Sequence, residues 1–140
     1  MGIKLAFLGS IMSMGGKEIL IVDEEGFSRV CSAILEREGY TTKTISDFQE
    51  APSRVNCNDF GLIITSFPYG VFFYEAIKEK GIPAIILSDH INKELIATLE
   101  GFGNSQSYCM IKPLDYEKFG SLIKDVVEGD LNMMGGYSIV

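Results

Sequence analysis

Four short apolar runs of this chain end in residues that could do chemistry. "EILIV" (Glu18 to Val22) leads into Asp23, Glu24 and Glu25. "LIITS" (Leu62 to Ser66) closes on Thr65 and Ser66, and Pro68 follows. "IPAIILS" ends in Ser88, with Asp89 next, and "YCMI" (Tyr108 to Ile111) runs into Lys112 and Pro113. Carboxylates gathered at one loop mouth suit magnesium, because hard cations take oxygen ligands. A lysine opposite them can neutralise a bound anion or pair with a carboxylate. Glu25 alone has a simpler role, as negative charge in the first turn of a helix. Ser66 or Ser88 as a nucleophile would lack a base, since His90 is the sole histidine, and no GxSxG elbow is present. Gly16-Lys17 is not a phosphate loop either. Ile11 stands where that motif needs glycine, and Glu18 where it needs a hydroxyl. Enzymatic activity is therefore not expected.

Positioning these groups requires alternating strands and helices. Glu18 to Val22 is continuously apolar, as in a strand covered on both faces. Phe27, Val30, Cys31, Ile34 and Leu35 recur at helical spacing, which predicts a helix over Gly26 to Glu38 closed by Gly39. Tyr40 to Ile45 reads as a short edge-like strand, and Ser46 to Asn56 as a weaker helix interrupted by Pro52. "LIITS" is the third strand, Val71 to Lys80 a helix, Ile82 to Ser88 the fourth strand, and Ile91 to Glu100 a helix. Tyr108 to Ile111 is the fifth strand and Asp115 to Val127 the last helix. Phe72, Phe73 and Tyr74 are expected to pack in the core rather than form a stacking platform. The alternation predicts an α/β fold with one parallel sheet and helices on both faces. In such folds ligands bind beyond the carboxyl ends of the strands, where the four groups above would meet.

The totals narrow the function. At 140 residues the chain suits one domain with a sizeable core. A net charge of −7 argues against direct contact with nucleic acid or an anionic membrane surface. Cys31, Cys57 and Cys109 have no metal-binding spacing and read as reduced thiols, so a cytoplasmic location is expected. Residues 1–16 read as an appended or misassigned leader, 17–128 as the domain, and 129–140 as a flexible or docking tail, in which Met133-Met134 reads as plain disordered chain sooner than as an adaptable docking patch.

In order, "ILIVDEE", "GLIITSFP", "IPAIILSD" and "YCMIKPLD" resemble the four sequence blocks of the response-regulator receiver (CheY-like) domain of two-component signalling. The resemblance spans Lys17 to about Val127. It implies a flavodoxin-like, doubly wound, five-stranded sheet of order 2-1-3-4-5. It also implies a magnesium-dependent Asp-phosphorylation site. By position, Asp23 and Glu24 match the acidic pair that holds the metal. Ser88 matches the hydroxyl that senses the phosphoryl group, Lys112 the lysine that bonds it, and Pro113 the proline of a cis peptide.

The chain departs from the family where the phosphoacceptor aspartate belongs. Ser66 stands there, or Thr65 if the register slips by one, and neither forms an acyl phosphate. From Ser66 to Ser88 is 22 positions, fewer than the family uses. The switch position holds Cys109, or Tyr108 after a one-residue slip. The expectation is a pseudo-receiver that acts by protein–protein interaction, with Lys112 paired to Asp23 or Glu24 and any Mg2+ held weakly. Its partners would be a signalling protein or histidine-kinase system, or a second copy. Its output face would be that of the fourth helix, fifth strand and fifth helix, here Ile91 to Glu100 and Asp115 to Val127. The alternatives are a working phosphorelay receiver with an atypical Mg-dependent site, or a small-molecule binder at the pocket.

Overall fold

The computed structural model describes residues 16–46, 55–129 and 136–140. Residues 1–15 of the predicted leader, most of the predicted helix over Ser46 to Asn56, and Met133-Met134 lie outside the described residues. The elements are β1 (Glu18–Val22), α1 (Glu25–Arg37), β2 (Thr42–Ile45), β3 (Phe60–Ser66), α2 (Val71–Ile77), β4 (Ala84–Ser88), α3 (Lys93–Gly101), β5 (Ser107–Ile111), α4 (Tyr116–Glu128) and β6 (Tyr137–Ile139).

The strands form one sheet in the order β2-β1-β3-β4-β5-β6, and every neighbouring pair is parallel. The sheet thus has six strands, not the expected five. The extra strand comes from the segment read as a tail. "YSI" is aromatic and β-branched enough to pair, but three residues after a glycine pair are too few to show a period of two.

Alternation along the strands divides the core into two layers. Leu20, Val22, Ile63 and Ile86 meet Phe73, Tyr74 and Ile77 of α2 and Leu95 and Leu99 of α3. Ile19, Ile21, Ile64 and Leu87 meet Cys31 and Leu35 of α1 and Phe119, Leu122 and Ile123 of α4. Burial on both faces explains the unbroken apolar runs of β1, β3 and β4. Tyr74 and Phe102 pack edge to face with ring centroids 4.8 Å apart. Phe73 and Tyr74 are buried as expected, whereas Phe72 stands at the surface.

Local signals fix the helix ends. The Asn92 side chain accepts the Leu95 N–H at 2.8 Å, and Asp115 accepts those of Glu117 and Lys118 at 3.0 and 3.2 Å. Gly129, at φ 72°, ends α4 in the left-handed conformation. The helix predicted over Val71 to Lys80 is shorter. It ends at Ile77 and passes into a 3-10 turn, Lys78–Lys80, closed by Gly81 at φ 79°.

Candidate functional site

Register brings the predicted groups to one end of the sheet. Val22 lies beside Thr65, Ser66 beside Leu87, and Ser88 beside Ile111. Asp23, Ser66, Ser88 and Lys112 therefore leave the same edge. Asp59 is in a 3-10 turn, Cys57–Asp59, at the opposite end of β3.

Two of these residues are joined. The Ser66 hydroxyl donates a short hydrogen bond to Oδ2 of Asp23, and Oδ1 of Asp23 accepts the Glu24 N–H at 2.8 Å. Asp23 is only 2% exposed, and Ser66 is equally buried. A buried carboxylate must be paired or hydrogen-bonded, and here each oxygen has a donor from the chain itself. The Ser28 hydroxyl donates to the Asp23 carbonyl at 3.1 Å and ties the start of α1 to the end of β1.

Thr65 points the other way. It follows Ile63 onto the α2–α3 side, where its hydroxyl donates to the Val22 carbonyl at 2.7 Å. Gly70 lies directly over this contact, and a Cβ there would fall 1.8 Å from Thr65 Oγ1. The Gly70 N–H bonds the Ser66 carbonyl at 2.9 Å, so the loop folds back tightly onto the strand end. Its Phe67–Pro68 peptide is cis, as is Lys112–Pro113. The sequence reading did not single out Gly70. Its only signal was a glycine four residues past a strand end, in a stretch from Ser66 to Ser88 that is shorter than the family uses.

The remaining groups do not converge. The Ser88 hydroxyl donates to the His90 carbonyl at 2.8 Å and so stabilises its own loop. Glu24 is exposed. Lys112 is not paired to Asp23 or Glu24, contrary to expectation. Its Nζ sits 5.6 Å from the ring centroid of Phe27, and the ion pairs among the described residues are Arg29–Glu25 and Lys78–Glu75. The reason is physical. Ser66 already meets the Asp23 carboxylate, and the first turn of α1 places an aromatic face within reach of the lysine. At the switch position, Cys109 is buried on the α2–α3 side and Tyr108 on the α1–α4 side.

These residues do not fit a magnesium ion. Both Asp23 oxygens are engaged, a hydroxyl stands where a second carboxylate would be needed, and the lysine has turned away. Among the described residues no group of three or more His, Cys, Asp or Glu could hold a metal.

The two buried thiols, Cys31 and Cys109, are unreactive. Burial, helped by the nearby Asp23 charge, pushes Cys31 up to about 12, and burial pushes Cys109 up to about 11. Both are neutral in the folded chain where an unfolded thiol begins to ionise. Stability from them is complete below the ordinary thiol value of 9.0 and is lost as pH rises beyond it. Native labelling with a thiol reagent at about pH 8 should therefore modify half-buried Cys57 alone, and all three cysteines only after unfolding. Rapid labelling of Cys31 in the native chain would contradict this packing.

No protein-family model matches the chain, and no curated protein matches it in sequence. Solved structures do. A CheY-like receiver domain protein from Methanospirillum hungatei JF-1 superposes with a TM-score of 0.68 at 21% identity, covering 81% of this chain and 94% of that one. The chemotaxis protein CheY4 of Vibrio cholerae gives 0.64 at 19%, covering 79% and 98%. The beryllofluoride-activated NtrC4 receiver domain dimer gives 0.64 at 28%, covering 80% and 97%. The chain has the receiver fold. Its added β6 extends that sheet by one strand beside β5, at the edge farthest from β2. Among the described residues, no helix is long and apolar enough to cross a membrane.

Proposed function

We propose that this chain is a receiver-like signalling module that acts in the cytoplasm by binding protein rather than by carrying a phosphoryl group. One observation carries the reading. Where a receiver presents its acceptor aspartate, this chain has Ser66, and the hydroxyl is engaged by the buried Asp23 carboxylate. The pair is structural, joining the ends of β1 and β3. No catalytic role follows for any of these groups.

The docking face we assign is that of α3, β5 and α4. Ile91 and Tyr116, 59% and 54% exposed, stand at the heads of the two helices. Exposed apolar groups beside mixed charge suit a protein partner better than an ionic ligand. The dimeric state named for the NtrC4 receiver makes a second copy one such partner.

Intact mass spectrometry after incubation with acetyl phosphate and magnesium tests the reading. The expected result is no adduct of about 80 Da, the mass of a phosphoryl group. With beryllofluoride, amide resonances around Asp23, Ser88 and Lys112 should not move. A labile adduct of that mass would overturn the proposal and send the search back to a phosphorelay with an atypical acceptor.

A further inference from the structure

Within that docking face, the edge of β5 already has an occupant from the chain itself. Gly136 accepts the Ser107 N–H at 3.1 Å, and the Val140 N–H donates to the Cys109 carbonyl at 2.9 Å. Between them Tyr137, Ser138 and Ile139 run parallel to Ser107, Tyr108 and Cys109. The pairing covers only the first three residues of β5 and stops short of Met110 and Ile111. It is also shallow. Tyr137 is half-buried against the α2–α3 layer, while Ile139 and Val140 are exposed. The buried Ser107 hydroxyl at this edge has no hydrogen bond among the described residues. A short outer strand with exposed side chains lies at the low end of local stability.

What β6 covers is an edge with no guard of its own. Ser107 to Ile111 contains no charge and no proline, the usual devices that keep sheet edges apart. We infer that β6 is a displaceable strap over β5, and that its release lets β5 pair with β5 of a second copy of this chain. The inference rests on the docking reading above. A second copy is the occupant because two identical edges related by a two-fold axis run antiparallel and match donor to acceptor throughout.

The ladder supplies its own test. With Gly136 and Val140 bonded to β5, alternation turns the Ser138 N–H inward and the Ile139 N–H outward. In the full chain, Ser138→Pro removes an inward donor, whereas Ile139→Pro leaves the pairing in place. Analytical ultracentrifugation over a concentration series is expected to show Ser138→Pro self-associating at least about tenfold more tightly than the parent. Ile139→Pro should match the parent, and deletion of residues 136–140 should match Ser138→Pro. Circular dichroism melts establish that each variant is folded. Equal or weaker association of folded Ser138→Pro would overturn the strap. So would loss of the folded state in both Ser138→Pro and the deletion, since β6 would then be an integral strand. None of these readouts involves phosphorylation. A phosphoryl adduct with tighter association would remove the phosphorylation-independent function and keep the strap, and no adduct with equal association would do the reverse.

Discussion

Gly70→Ala should lower the unfolding midpoint by about 10 °C, a cost of roughly 3 kcal/mol for a domain of this size. Backbone strain is not the cause. Gly70 has φ −104° and ψ −1°, which alanine adopts freely. The cause is space. The new Cβ would lie 1.8 Å from Thr65 Oγ1, 2.6 Å from the Val22 carbonyl oxygen and 3.2 Å from Thr65 Cβ. None of these atoms is the loose end of a flexible side chain. Thr65 is β-branched, fully buried and bonded to Val22, and Val22 belongs to the central strand β1. The loop would have to lift, straining the Gly70–Ser66 bond and the Phe73 N–H to Gly70 bond that opens α2. Gly26 in α1 and Gly120 in α4 are the controls, since a Cβ at either meets nothing within 4 Å. Alanine there should stabilise by about 0.5–1 kcal/mol through helix propensity. In a Thr65→Ala background the closest clash disappears and the carbonyl clash stays, so the cost of Gly70→Ala should fall without vanishing. Differential scanning calorimetry decides the matter, and a Gly70→Ala midpoint within about 1 °C of the parent would mean that the loop does not press on the strand.

The central strands and the end of the sheet that carries the polar groups were legible in the sequence. A parallel strand buried on both faces must be apolar throughout, so β1, β3 and β4 announce themselves. The pairing of Asp23 with Ser66 was not legible. It spans 43 positions and depends on Val22 lying beside Thr65, a register that no local pattern encodes. Lys112 illustrates a competition. Sequence order places it opposite the acids, but its position depends on what else reaches them. Ser66 meets Asp23 first, and Phe27 offers the lysine a ring. Gly70 and β6 were missed for a shared reason. Each acts through backbone packing against a distant strand, which leaves no periodicity in its own few residues.

The second large effect concerns that pair. Ser66→Asp should destabilise the chain by about 3 kcal/mol near pH 8, more than the roughly 1–2 kcal/mol expected for Ser66→Ala. Alanine merely removes one donor from the buried Asp23 carboxylate, which keeps its bond to the Glu24 N–H. Aspartate removes the same donor and adds a second negative charge in one desolvated site. Two such carboxylates share a proton that the unfolded chain has released by neutral pH. The folded variant then binds more protons than the unfolded one, so its stability falls as pH rises and its deficit should narrow toward about pH 5. Adding Asp23→Asn should restore most of the loss. The side-chain carbonyl of the introduced asparagine still accepts from the Glu24 N–H. Its amide nitrogen stands where Oδ2 of Asp23 faced Ser66 and can donate to the new carboxylate. Urea unfolding of the parent, both single variants and the double at the two pH values measures all of this. If Ser66→Asp matched the parent at both, the strand end would be open to water or a cation, and the Asp23–Ser66 pair would not be a closed contact.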